Sequence, residues 1–178
     1  MEIMRLVVTG PIGAGKTTFI QSVSEIEVVN TDRSATDDTA LLKETTTVAL
    51  DFGRLQFLPG MAIHLYGTPG QSRFNFMWDL LIQKAHAYIL LVPANQPAEF
   101  QNAQLIYHFM EERVTLPKLI GITHLDCEDA WSIADIAIAL GITEANGYPP
   151  MIGLNATEPE SVIDTLSNII SQFYNPLR

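Results

Sequence analysis

The sequence predicts an α/β fold: a mostly parallel six-stranded sheet with one antiparallel hairpin strand and helices on both faces. Three observations predict it. An apolar run from Ile3 to Val8 leads into Gly10-Pro11-Ile12-Gly13-Ala14-Gly15-Lys16-Thr17, and a helical pattern carrying Phe19, Ile20 and Val23 follows, giving the order strand, glycine-rich loop, helix. Two later runs, Ala87 to Val92 and Lys118 to Ile122, are continuously apolar, as strands covered on both faces are. Helical patterns lie between the strands, and parallel neighbours need such crossovers, which are right-handed.

The first element explains the residue types of its loop. A polyphosphate needs backbone N–H groups brought very close, so glycines stand at Gly10, Gly13 and Gly15, where a Cβ would block the turn or the approach. The helix that follows adds its N-terminal amides and the positive end of its dipole. Lys16 is placed to reach the β- and γ-phosphates, the Thr17 hydroxyl to ligate Mg²⁺, and Ala14 and Thr18 complete the phosphate-binding set. The loop is a P-loop in strand–loop–helix context, so the expected class is a P-loop NTPase.

A helix from about Thr17 to Ser24 is followed by Glu25 to Glu44, polar and without a sustained period; such a stretch inside a compact domain is generally functional or mobile. Val48 to Phe52 and Met61 to Tyr66 flank Leu58-Pro59-Gly60, whose proline and glycine suit a type II turn, so an antiparallel hairpin is expected. Gly67 to Asp79 is irregular and holds Phe74, Phe76, Met77 and Trp78, which suit either the core or a docking patch. Pro97 opens a helix with Phe100, Ala103, Tyr107, Met110 and Val114 at helical spacing, and another runs from about Asp129 to Leu140 and stops at Gly141. Met151 to Leu154 forms a last strand. The final helix is expected to start from a Thr157-x-x-Glu160 capping box, with Val162, Leu166, Ile169 and Phe173 on one face.

The totals bound the rest. A chain of 178 residues, 47% hydrophobic, suits one domain spanning 1–178. A net charge of −10 argues against a nucleic-acid partner or an anionic membrane surface. One cysteine, Cys127, excludes an internal disulfide and suits a reducing compartment. The termini carry neither a myristoylation glycine nor a prenylation cysteine, and no apolar run approaches a membrane span, so a cytoplasmic protein with no direct membrane anchor is expected. Oligomeric state is not encoded in any of these features.

After the third strand comes Gly67-Thr68-Pro69-Gly70-Gln71, a glycine whose N–H suits a γ-phosphate followed by a glutamine suited to orienting an attacking water. With this loop and the P-loop in register, nearly the whole chain resembles a Ras-like small GTPase, and within that superfamily the bacterial branch of the mutual-gliding polarity GTPases and the conservon-operon GTP-binding proteins. The resemblance implies binding of GTP or GDP with Mg²⁺ and two switch loops. It makes Gly70 the γ-phosphate sensor, Gln71 the catalytic glutamine with Lys16 beside it, and Thr47, ahead of Thr45 and Thr46, the switch threonine that joins Thr17 on the metal. Where Ras-like proteins hold a magnesium-bound water with an aspartate this chain has Gly67, leaving Thr17 to carry more of that site.

For the base, Thr123-His124-Leu125-Asp126 stands where the family has Asn-Lys-x-Asp. The Asp126 carboxylate suits guanine N1–H and the exocyclic amine, and adenine would leave it unpaired. His124 either stacks beside the base or merely caps the strand end. Asn155-Ala156-Thr157 keeps the Ala156 N–H for the guanine carbonyl. Ile12 stands where a smaller residue is common, which predicts slow hydrolysis, and Arg33, Arg54 and Arg73 are candidate internal arginine fingers. The family also implies protein regulators and effectors at the switch loops, roadblock-type regulators among them. Two alternatives stand beside the switch: a GTP-binding scaffold with negligible hydrolysis, and an ATP-using P-loop enzyme, against which the absence of an arginine-rich lid argues.

Overall fold

The computed structural model describes residues 1–30, 50–143 and 147–175. In chain order the elements are β1 (Glu2–Thr9), α1 (Lys16–Val23), β2 (Val29–Asn30), β3 (Asp51–Leu58), β4 (Met61–Gly67), α2 (Asn75–Ile82), β5 (Ala87–Pro93), α3 (Phe100–Glu111), β6 (Lys118–Thr123), α4 (Ile133–Ala139), β7 (Met151–Gly153) and α5 (Pro159–Tyr174). Short 3₁₀ turns, Ser72–Phe74 and Pro97–Glu99, lead into α2 and α3.

The strands form one sheet in the order β2-β3-β4-β1-β5-β6-β7. β1 pairs in parallel with β4 and β5, and β5, β6 and β7 continue in parallel. β3 is antiparallel to β4 across the turn at Pro59 and Gly60, where Gly60 has φ 80°. The six expected strands are present, although the second of them runs Asp51–Leu58 rather than ending at Phe52; among the described residues the two-residue β2 adds a seventh at the edge, antiparallel to β3.

Side-chain alternation divides the core between the two faces. Leu6, Val8, Ile63, Leu65, Ile89 and Leu91 point to the face covered by α1 and α5, against Phe19, Ile20, Val162, Leu166 and Ile169. Val7, Tyr88, Leu90, Val92 and Ile122 point to the face covered by α2, α3 and α4, against Trp78, Ile82, Phe100, Ile106, Met110 and Ile136. Every residue of β5 is buried, which is why its sequence is apolar without alternation. The aromatic cluster after β4 divides: Trp78 is fully buried, whereas Phe76 is half exposed.

Two expected helix starts differ. α4 begins at Ile133, capped by the Ser132 hydroxyl accepting from Asp135 N at 3.1 Å, because the preceding segment is drawn to the end of β5 by Trp131 N donating to Ala94 O at 2.8 Å. The Thr157 capping box does not form. Asn155 Oδ1 accepts from both Thr157 N (3.0 Å) and Thr157 Oγ1 (2.7 Å), a local turn that engages the threonine before the helix begins at Pro159.

Candidate nucleotide site

Parallel strands end at one edge of this sheet, and the loops that leave β1, β4, β5 and β6 meet there. The P-loop turns between Thr9 and Lys16. At Gly10, φ is 146° and a Cβ would sit 2.3 Å from Leu91 O, so only glycine lets the loop pass over β5. Gly15, left-handed at φ 95°, is the N-cap of α1. Gly13, Gly15, Lys16, Thr17, Thr18 and His124 line an open cleft of about 300 Å³.

Lys16 Nζ donates to Gly10 O (2.7 Å) and Pro11 O (2.8 Å), so the ammonium rests on the loop's own carbonyls. Burial lowers its pKa from 10.5 to about 8, against the opposing charges of Asp51 and Glu99. A phosphate in the cleft would add to that negative charge and raise the pKa again.

The Thr17 hydroxyl donates to Asp51 Oδ2. Asp51 opens β3 and lies directly opposite Gly67 at the end of β4. A Cβ on Gly67 would be 3.1 Å from Asp51 Cβ and 3.4 Å from Asp51 Oδ2. The Asp51 carboxylate therefore occupies the space beside the glycine that stands in place of the expected aspartate. A hydroxyl and a carboxylate are hard oxygen donors of the kind that suit Mg²⁺, so this pair fits the ion. A β-bulge creates the pairing: the register shifts between Gln56 and Leu58, whereas an unbroken ladder from the two-residue turn would set Phe52 opposite Gly67. Motif reading passed over Asp51; only the bulge reveals it.

The loop after β4 is fastened at several points. Thr68 N donates to Val8 O (3.0 Å) and Thr68 Oγ1 to Thr9 Oγ1 (2.8 Å). Trp78 Nε1 donates to Pro69 O (2.7 Å), and Asn102 Nδ2 to Gly70 O (3.0 Å). Gly70 is flush against the P-loop, since a Cβ there would be 2.6 Å from Ile12 N and 2.8 Å from Pro11 C. Gln71 follows, half-buried, with its carbonyl accepting from Phe74 N at 3.0 Å.

At the other end of the cleft, Thr123 Oγ1 donates to Ala14 O at 2.8 Å, tying the end of β6 to the P-loop. The threonine thus makes a loop-to-loop bond although the expected asparagine is missing. His124 is held left-handed at φ 59° with Nδ1 2.9 Å from Thr123 Oγ1, and its ring borders the same cleft as Lys16. A non-glycine residue in this conformation is strained, and such strain collects at functional sites. Asp126 is exposed in the turn closed by Cys127 N donating to His124 O at 3.2 Å. Ala156 is buried, its Cβ 3.4 Å from where a Gly15 Cβ would be, so the loop after β7 also reaches the P-loop.

Gly10, Gly13, Ala14, Gly15, Lys16, Thr17, Thr18, Gly70, His124, Asp126 and Ala156 thus fall along one sheet edge, with Gln71 next to Gly70. Thr47, its rivals Thr45 and Thr46, and Arg33 lie outside the described residues. Arg54 is not placed to act as an arginine finger: it lies three residues along β3 from Asp51, and its Nη2 reaches Met1 Sδ at 3.5 Å, at the opposite end of β1 from the P-loop. Arg73 stacks over Phe74, 4.6 Å from the ring centroid, within the loop after β4. Among the described residues no cluster of three or more His, Cys, Asp or Glu side chains could hold a metal, and the paired Thr17 and Asp51 oxygens are the described groups that fit an ion at the cleft.

The family model described as "Conserved hypothetical ATP binding protein" matches residues 27–176, beginning past the P-loop. An uncharacterized protein of Methanocaldococcus jannaschii is 27% identical over 127 residues, covering 71% of this chain and 73% of that protein. The Arl6 (BBS3) small GTPase of Trypanosoma brucei, solved with the nucleotide analogue GppNp, superposes with a TM-score of 0.73 over 97% of this chain and 98% of its own, at 17% identity. With the loop at Gly10 to Thr17, these findings make the chain a protein of P-loop NTPase fold that belongs to the conserved hypothetical ATP binding protein family.

Proposed function

We propose that this protein is a guanine-nucleotide switch that binds GTP or GDP with Mg²⁺ and hydrolyses GTP slowly. One observation carries the switch reading: Gly70 lies against Ile12 and Pro11, so a γ-phosphate arriving at the P-loop must meet the loop after β4. A module that merely held a nucleotide would not need that contact.

Lys16 would leave the Gly10 and Pro11 carbonyls for the β- and γ-phosphates. Thr17 and Asp51 would hold Mg²⁺, which when bound neutralises charge on the phosphate oxygens. The Gly70 N–H would meet the γ-phosphate and Gln71 would orient the attacking water. Ile12 is half exposed, with Cγ1 3.0 Å from where a Gly70 Cβ would be, and its bulk beside the sensor is the reason to expect slow turnover. Asp126 would read the guanine edge, with His124 beside the ring and the Ala156 N–H on the guanine carbonyl.

The resemblance to bacterial polarity and conservon GTPases belongs to this proposal, as do protein regulators and effectors, roadblock-type among them. They would meet the loop after β4 and α2, where Phe76 and Leu80 are half exposed. No described helix is long and apolar enough to cross a membrane. A second reading, an ATP-using P-loop enzyme, is favoured by the wording of the family description. A GTP-binding scaffold is favoured by Ile12, and single-turnover hydrolysis with and without a regulator separates it from the switch.

The deciding experiment is competition of GTP, GDP and ATP against a fluorescent guanine nucleotide with Mg²⁺, on wild type and Asp126→Ala. GTP and GDP should compete far better than ATP, and the substitution should erase that preference. Equal competition by ATP would sink the guanine reading.

A further inference from the structure

Gly70 is held from both sides by side chains that motif reading does not mark. The indole of Trp78 is fully buried in α2, and its Nε1–H donates to Pro69 O at 2.7 Å. The Pro69 carbonyl and the Gly70 N–H belong to one peptide unit, and no peptide bond among the described residues is cis. In a trans peptide those two groups point in opposite directions. Holding the carbonyl toward α2 therefore turns the Gly70 N–H away from α2. The next peptide is fixed as well: Gly70 O accepts from Asn102 Nδ2, on α3, at 3.0 Å, and the same Nδ2 lies 3.4 Å from Glu99 Oε2. Between the two anchored peptides, Gly70 itself is pressed on Ile12 and Pro11.

We propose that Trp78 and Asn102 are positioning residues for γ-phosphate recognition, clamping the peptides on either side of Gly70 so that its N–H is oriented before the nucleotide arrives. The inference rests on the nucleotide-switch reading. Two core helices, α2 and α3, then share directly in telling a triphosphate from a diphosphate. A hydrogen-bond donor oriented in advance loses less freedom on binding than one that must be ordered. The buried indole N–H also explains why this position holds a tryptophan rather than another large apolar residue. A phenylalanine would fill most of the space yet leave Pro69 O without that donor and its peptide free to turn.

The test measures affinities for Mg²⁺–GppNp and for GDP in wild type, Trp78→Phe and Asn102→Leu, which keep bulk and remove the donor. Each substitution should weaken GppNp about tenfold relative to GDP, a size set by one lost hydrogen bond to an oriented group. An equal loss for both nucleotides, or no loss, would overturn the clamp. Wild type binding neither nucleotide would instead defeat the nucleotide reading, and the clamp with it. A second measurement does not depend on the Trp78 and Asn102 variants folding. Trp131, half exposed and packed edge-on against Phe100, is the other tryptophan, so Trp131→Phe leaves Trp78 as the sole indole. Its emission should change on adding Mg²⁺–GppNp and stay constant with GDP; an identical response to both would overturn the proposal.

Discussion

At the phosphate end of the cleft, Gly10, Gly13 and Gly15 come from one run of the chain, and backbone conformation does most of the work. At the end proposed to read the base, Thr123, His124, Asp126 and Ala156 come from two loops far apart in sequence, brought together by β6 and β7. The first end tolerates no side chain at Gly10; the second is built from side chains that differ from the expected ones at two positions. Thr123 nevertheless bonds Ala14 O, and His124 borders the cleft. A site made of backbone is rigid in its sequence, whereas a site made of side chains is replaceable provided that the new group reaches the same partner.

The largest effect should therefore come from the phosphate end. Gly10→Ala places a Cβ against Leu91 O at a left-handed φ, so a loss of roughly 2–4 kcal/mol in stability is expected. Denaturant unfolding measures it, and a midpoint equal to wild type would show that the loop yields. Between the two ends lies Asp51. Asp51→Ala should weaken Mg²⁺-dependent nucleotide binding about 10- to 100-fold by removing the carboxylate that faces Gly67. Moving the carboxylate across the ladder, as Asp51→Gly with Gly67→Asp, should recover much of it; a double variant no better than Asp51→Ala would mean that the carboxylate does not act from that space.

A smaller effect follows from Lys16. Its pKa in the free protein is lowered to about 8, and phosphate raises it, so above that pH the complex holds a proton that the free protein has lost. Binding then takes up a proton, and affinity should fall as pH rises from about 8 toward 10.5, by at most about tenfold per pH unit. Titrations in two buffers of different ionisation enthalpy would show the uptake, and Lys16→Ala should abolish the pH dependence. The smallest effect belongs to the base end. His124→Gly should stabilise the fold by about 1 kcal/mol by relieving φ 59°, and weaken nucleotide binding only a few-fold. A loss as large as that of Asp51→Ala would mean the two ends are equally intolerant.

Much of this architecture was legible before any coordinate. The P-loop, the buried runs of β5 and β6 and the hairpin at Pro59-Gly60 all rest on local signals: glycine where φ is positive, unbroken apolar strands, a turn dipeptide. The capping box at Thr157 misled because a neighbouring side chain, Asn155, competes for the same hydroxyl. Arg54 misled because a position near Asp51 in sequence lies about 10 Å further along a strand.

The phosphate loop and the alternation of strands with helices could be read from the chain alone, because each depends on neighbours within a few positions. The tertiary structure alone decided that Asp51 faces Gly67, since one bulged residue between Gln56 and Leu58 changes which side chain ends up opposite that glycine. It alone decided that Trp78 and Asn102 hold the peptides around Gly70, since those bonds link separate helices to a loop whose own residues say nothing about what will pack over it. Register and packing are collective properties of the sheet and its covering helices, and no single stretch of chain carries them.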